Sequence, residues 1–251
     1  MTFTFSACKD KPAEKKGFQV NDISENDEGE KIVGLPIDSF KLETQPRNVL
    51  LTKHPSHRLV PIYKVNYDKK TKAPFIGTNN YHTLWSDNAD DGNNWNGNLM
   101  PGFKVLSGYN LVNVAHHNNL EKTQNTFFDK PVLIKTIYYP AYSKDTLNNS
   151  PIKRDYYMVS VYDEDTNKDG FINLKDLRRI YHFDINGKVQ QALVPKNYAV
   201  MSSEYDSDND YMYIFAKLDQ NTNGQMEPEE PTHIFWIDLK NPENKGVQYE
   251  Q

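Results

Sequence analysis

Two stretches of twelve residues carry the densest oxygen chemistry in the chain. The first runs Asp165-Thr166-Asn167-Lys168-Asp169-Gly170-Phe171-Ile172-Asn173-Leu174-Lys175-Asp176. The second runs Asp219-Gln220-Asn221-Thr222-Asn223-Gly224-Gln225-Met226-Glu227-Pro228-Glu229-Glu230. Both place oxygen-bearing side chains at places 1, 3 and 5: Asp165, Asn167 and Asp169, then Asp219, Asn221 and Asn223. A hard cation such as calcium takes roughly 6–8 oxygens at about 2.3–2.6 Å. A tight coil aims alternate side chains at one point, and Gly170 or Gly224 at place 6 permits the bend, because a residue without Cβ reaches φ > 0 freely. Place 7, Phe171 or Gln225, offers its backbone carbonyl. Asn173 or Glu227 at place 9 can hold a ligating water, and the acid at place 12, Asp176 or Glu230, closes the sphere. Ile172 and Met226, at place 8, are expected to anchor the coils in the core. Each coil brings three carboxylates at most to these places, which predicts modest affinity and a structural role for two calcium ions.

These dodecamers resemble EF-hand loops, and the resemblance is confined to them. An EF-hand has a helix on each side. Here Met158-Val159-Ser160-Val161-Tyr162 and Tyr213-Ile214-Phe215-Ala216 lead in as strands, and Pro228 and Pro231 break any exit helix. What the resemblance implies is a calcium loop set in a β-hairpin. The competing reading is a solvated turn whose Asp and Asn side chains bond their own backbone. Two matching loops at equivalent positions of a repeat favour the ion.

That repeat organises the chain. A shift of 54 residues lays Tyr157–Gly187 on Tyr211–Asn241 without a gap. Tyr157/Tyr211, Met158/Met212, Asp165/Asp219, Asn167/Asn221, Gly170/Gly224, Ile180/Ile234 and Asp184/Asp238 are identical pairs. Each copy reads strand, polar loop, strand, a unit that must stack on neighbours to bury its apolar face. The rest of the chain beyond Arg47 shows short Val-, Ile-, Tyr- and Thr-rich runs between Asn, Asp, Gly and Pro. Leu59–Val65, Leu111–Val114 and Val132–Tyr139 are examples. Helical spacing is confined to about one turn within Leu174–Ile180. The expected class is all-β, as a β-propeller-like array of about four units, complete or incomplete. The alternative is a β-sandwich with a duplicated calcium-loop hairpin.

Composition bounds the partners. The 251 residues include 29 Lys+Arg and 34 Asp+Glu, giving a net charge of −5. With no basic block, nucleic acid is excluded as the main partner. Mean hydropathy is −0.79, and no run approaches the roughly 18–20 apolar residues of a spanning helix. Aromatics at 12% set the chain apart from disordered sequences.

The one cysteine, Cys8, follows Phe5-Ser6-Ala7 and precedes the charged stretch Lys9–Lys16. This resembles a bacterial lipobox, in which the precursor is cut before the Cys and the thiol is acylated, and the charged tether resembles Bacteroidetes-type surface lipoproteins. Phe5 stands where Leu is usual, and the short lead predicts a true start upstream of Met1. Residues 1–8 are thus read as signal remnant and acylation site, 9–46 as a flexible tether and 47–251 as the repeat domain, with coils at 165–176 and 219–230.

Other features carry less. The loop Trp85–Asn98 holds Trp85 and Trp95 among Asn and Asp, and either binds carbohydrate or connects elements pinned by its aromatics. His116 and His117 are adjacent on a strand-like run, so they point to opposite faces and make a poor chelate. Asp206–Asp210 reads as a hairpin turn. No catalytic motif stands out. The expected function is a calcium-binding outer-membrane lipoprotein, periplasmic or surface-facing, acting as a binding or scaffolding module with an envelope protein partner. The alternative is a surface enzyme acting on polysaccharide or peptidoglycan.

Overall fold

The computed structural model describes residues 17–20, 42–76, 79–81, 100–142 and 145–250. Cys8, Trp85 and Trp95 lie outside them. The described residues are all-β, with several antiparallel sheets, none closed into a barrel. The first strands are β1 (Gly17–Gln19), β2 (Thr44–Pro46), β3 (Leu50–Leu51), β4 (His57–Lys64), β5 (Asn66–Tyr67), β6 (Pro74–Phe75) and β7 (Asn79–Tyr81). β8 (Phe103–Gly108), β9 (Leu111–Asn118), β10 (Thr123–Thr126), β11 (Leu133–Pro140), β12 (Thr146–Leu147) and β13 (Ser150–Pro151) follow. Then come β14 (Tyr156–Tyr162), β15 (Phe171–Asn173), β16 (Arg179–Asp184) and β17 (Val189–Ala192). The chain ends with β18 (Tyr198–Asp206), β19 (Tyr211–Leu218), β20 (Thr232–Asp238) and β21 (Lys245–Tyr249).

Eleven strands form one sheet in the order β17-β16-β14-β11-β9-β4-β2, with β3, β7, β8 and β10 joined at its sides. The last four form a separate antiparallel meander, β18-β19-β20-β21. β11 is the corner of the large sheet. Its first half meets β9 at Ile134↔Leu111, and its second half pairs with β8 from Ile137↔Leu106 onward. The two arms fold toward each other, so that Phe127, just after β10, stacks on Phe183 of β16 at 4.7 Å between ring centroids.

β14 shows why the layers hold. Its odd residues, Tyr157, Val159 and Val161, face the core between the arms with Leu59, Tyr63, Val114, Ile137 and Phe183. Its even residues Tyr156 and Met158 face a second core made with Val200, Met212, Ile214, Ala216, Phe235 and Ile237 of the four-stranded meander. A strand covered on both faces loses the alternation of a half-exposed one, and β14 is buried throughout. β19 and β20 alternate buried and part-exposed residues, as a sheet with one covered face must. Two arginines are prominent among the ties between the meander and the large sheet. Arg178 and Val200 exchange bonds, Nε to carbonyl at 2.7 Å and N–H to carbonyl at 2.8 Å. The buried Arg154 guanidinium grips Asp210 of the β18–β19 turn in a two-pronged ion pair, 2.9 and 2.6 Å, and donates to the Leu239 carbonyl at 2.7 Å. Asp206–Asp210 is that hairpin turn, as read from the sequence.

The repeat units are β14–coil–β16 and β19–coil–β20. Their sequences align without a gap, but their strand pairing slips by one residue. Tyr157 pairs with Phe183 in the first copy. The equivalent Tyr211 pairs with Asp238 instead of Ile237. A one-residue slip turns side chains to the opposite face. Tyr181 and Phe183 therefore face the core between the arms, whereas their counterparts Phe235 and Ile237 face the core on the other side.

Three details differ from expectation. Packed structure begins before Arg47: Gly17–Gln19 is a strand within the stretch read as tether, with Phe18 buried, and Leu42 is buried too. Leu174–Ile180 makes a turn and the start of a strand, with no helix. Met226 is half-exposed at 50%, while Ile172 is buried at 2%, so place 8 anchors only the first coil.

Candidate functional site

The two coils repeat one hydrogen-bond scheme. At place 1, the Asp165 carboxylate accepts the Asp169 and Gly170 N–H groups at 3.0 and 2.9 Å. Asp219 accepts those of Asn223 and Gly224, both at 3.1 Å. The place 3 amide oxygen accepts the place 5 N–H at 3.0 Å in both coils. The place 5 oxygen accepts the place 7 N–H, Phe171 to Asp169 at 3.0 Å and Gln225 to Asn223 at 2.9 Å. Places 4 and 6 are both left-handed, at φ 57° and 84° for Lys168 and Gly170, and at 57° and 73° for Thr222 and Gly224. A β-branched residue such as Thr222 rarely adopts that region, so the coil, rather than local preference, holds it there.

The place 12 acids do something that spacing did not reveal. Asp176 accepts the Thr166 N–H of place 2 and the Asn173 N–H of place 9, both at 2.8 Å. Glu230 accepts the matching N–H groups of Gln220 and Glu227 at 3.2 and 2.9 Å. Each acid staples the start of its coil to the end. Asp176 Oδ1 also accepts the Asn167 N–H at 3.4 Å, so its lone pairs are taken within the coil, whereas Oδ2, which meets Asn173, keeps one for another partner.

The donor set fits a hard cation. The oxygens are carboxylate, amide and backbone carbonyl, with no sulfur or imidazole. Place 1 and place 3 oxygens converge, since Asp165 and Asn167 both accept the same Asp169 N–H. The Phe171 carbonyl turns away from β1, to the side on which the Phe171 N–H meets Asp169. β1 pairs with β15 at Phe18↔Ile172 and Gln19↔Phe171, and Val20 N–H donates to the Gly170 carbonyl at 2.9 Å. Bonded pairs alternate in an antiparallel ladder, so Phe171 turns its own N–H and carbonyl away from β1. Among the described residues, no cluster of three or more His, Cys, Asp or Glu has metal-holding geometry. The coils instead draw on Asn and backbone oxygens as well as on acids.

Burial pushes the Asp176 carboxyl above its usual range against the pull of three backbone N–H groups, and the nearby Asp165 adds to the rise. Negative charge is thus held at a cost, which a cation would offset.

The coils also touch. Thr166 Oγ1 accepts the Leu177 N–H at 2.8 Å and donates to the Gly224 carbonyl at 2.6 Å. A Cβ on Gly224 would lie 2.0 Å from the Thr166 carbonyl oxygen, whereas one on Gly170 would meet nothing within 4 Å. Gly170 serves the bend alone, while Gly224 serves the bend and the contact.

The remaining predicted positions fall elsewhere. His116 is buried and His117 part-exposed on β9. His57 and His116 sit 3.0 Å apart, Nδ1 to Nε2, and His116 Nδ1 meets Asn125 Oδ1 at 3.1 Å. Asn125 Nδ2 donates to the Gly187 carbonyl, so its oxygen accepts from His116. His57 therefore donates to His116 in the neutral pair.

No protein-family model matches the chain, and no curated protein matches it in sequence. A solved structure titled as the crystal structure of the eukaryotic initiation factor aligns at 11% identity and a TM-score of 0.16. The alignment covers 81% of this chain and 65% of that one. A likeness at that level carries no argument about fold or activity.

Proposed function

We propose that the two coils each hold a calcium ion, and that the ions lock a stack of β-layers into a binding or scaffolding module. The observation that supports this reading is the matched scheme at places 1, 3, 5 and 7, with Phe171 turning its carbonyl away from β1. Extracellular calcium modules bind at roughly 10⁻⁴–10⁻³ M. At about 10 mM calcium, mass action then adds roughly 1.4–2.7 kcal/mol per site. For a chain of this size that corresponds to a rise of about 5–20 °C in Tm for two sites. Melting in calcium against EGTA tests it, and an unmoved Tm overturns it.

The four-stranded meander stacked on the face of β14 suits a propeller-like array. The charged stretch behind Cys8 suits a lipid anchor in a bacterial outer membrane, with an envelope protein as partner. Acyl-chain labelling that is lost in Cys8→Ser, followed by capture of partners from solubilised membranes, tests that half of the reading. Labelling that survives the substitution overturns the anchor.

A further inference from the structure

β1 is fastened to the first coil itself. Its strand partner is Phe171–Asn173, which are places 7 to 9. Val20 N–H reaches back to the carbonyl of Gly170 at place 6. Phe18 is 3% exposed and packs with Ile172 of place 8, together with Val112, Leu133 and Tyr162. Outside the coil, among the described residues, Gly17 N–H donates to Asn110 Oδ1 and Lys64 Nζ donates to the Gly17 carbonyl, both at 3.0 Å.

The second coil shows what an unclaimed place 8 looks like. Among the described residues no strand pairs with Gln225–Glu227, and Met226 is half-exposed. The same spacing thus gives one coil with a docked strand and, among the described residues, one without.

Places 6 to 9 serve two partners at once. One edge of this short strand bonds β1. The other edge carries the Phe171 N–H, bonded to Asp169 of the coil, and the Phe171 carbonyl on the same side. An ion that fixes the Gly170 bend and the Phe171 carbonyl also fixes the edge that β1 needs. We infer that cation capture by the first coil and docking of Gly17–Val20 are coupled, which makes the N-terminal strand a calcium-dependent latch. This rests on the calcium reading and adds a regulated element to it. Coupling is reciprocal, so the docked strand must raise ion affinity by the factor by which the ion favours docking, typically about 5–150-fold.

Hydrogen exchange on the full chain tests the latch, read at the amides of Phe18 and Val20 in calcium and in EGTA. The expected result is protection that falls at least about fivefold in EGTA. Calcium titration of two variants provides the reciprocal arm. Phe18→Ser removes the apolar plug without touching the coil's donors, and Gly17→Ala drives a Cβ to 2.3 Å from the Ile172 carbonyl oxygen and 2.9 Å from the Asn173 Cβ of place 9. With the second coil disabled by Asp219→Ala, both variants should bind calcium at least about fivefold more weakly. With the first coil disabled by Asp165→Ala, neither should alter binding at the second. Calcium uptake by the first coil with unchanged exchange at Phe18 and Val20 overturns the latch and leaves the calcium reading intact. No uptake by either coil overturns both.

Discussion

A methyl group added to Gly170 and one added to Gly224 should have different consequences, although the two glycines hold the same place in matching coils. Both positions are left-handed, at φ 84° and 73°, and alanine there costs about 1–2 kcal/mol. For Gly170→Ala that is the whole expected loss, since nothing lies within 4 Å of the new Cβ. For Gly224→Ala the Cβ meets the Thr166 carbonyl oxygen at 2.0 Å, its carbon at 2.3 Å and the Asn167 nitrogen at 2.8 Å. These are backbone atoms, so the coils must separate, and the 2.6 Å bond from Thr166 Oγ1 to Gly224 is lost. A lost hydrogen bond costs about 0.5–1.5 kcal/mol and overpacking about 1–3 kcal/mol, which brings Gly224→Ala to roughly 3–6 kcal/mol. Urea unfolding of both variants in EGTA measures the difference without the ion. Equal losses, within about 0.5 kcal/mol, would refute the contact between the coils as a stabilising element.

Ile172→Ala should cost about 2–5 kcal/mol, while Met226→Ala, at the same place in the exposed coil, should fall within about 0.5 kcal/mol of wild type; urea midpoints separate them. Asp210→Ala leaves the Arg154 guanidinium buried without its carboxylate and should cost about 3–5 kcal/mol. Its thermal unfolding should lose the coincidence of near- and far-ultraviolet transitions if the meander loosens first. Acid should weaken the fold below neutral pH. Burial holds His116 and His182 below the usual histidine range, and burial together with the neighbouring His116 does so for His57. Between the lowered folded values and the ordinary 6.5, the unfolded chain binds more protons, so the stability these groups add is full above about pH 6.5 and is lost as pH falls. Each of His116 and His182 contributes at most about 1.4 kcal/mol per pH unit. A urea midpoint that stays flat from pH 7.5 to 5 would contradict this.

Much of the architecture is legible in residue order because strands and turns are written locally. Apolar runs such as Val132–Tyr139 and the 54-residue repeat mark β14, β16, β19 and β20. The coils could be placed to the residue because place 6 demands glycine and places 1, 3 and 5 demand oxygen. What the sequence hides is set by contact across distance. The gapless repeat conceals the one-residue slip that turns Phe235 and Ile237 away from the side chosen by Tyr181 and Phe183. Ile172 and Met226 are both apolar, and what distinguishes them is the cover supplied by Phe18, Val112, Leu133 and Tyr162, all distant in sequence or on other strands. Gly17–Gln19 is too short and too polar in its surroundings to announce a strand. Arg154 and Asp210 look like surface charges until the β18–β19 turn brings them together. The staple made by Asp176 and Glu230 escapes a reading that assigns place 12 wholly to the ion.

The central claim is that both coils are ion sites, and a crystal grown in millimolar calcium with anomalous data tests it most directly. Two peaks are predicted, one bounded by Asp165, Asn167, Asp169 and the Phe171 carbonyl and one by Asp219, Asn221, Asn223 and the Gln225 carbonyl, at about 2.3–2.6 Å from the oxygens. Coils that hold only their internal hydrogen bonds at that concentration would contradict it.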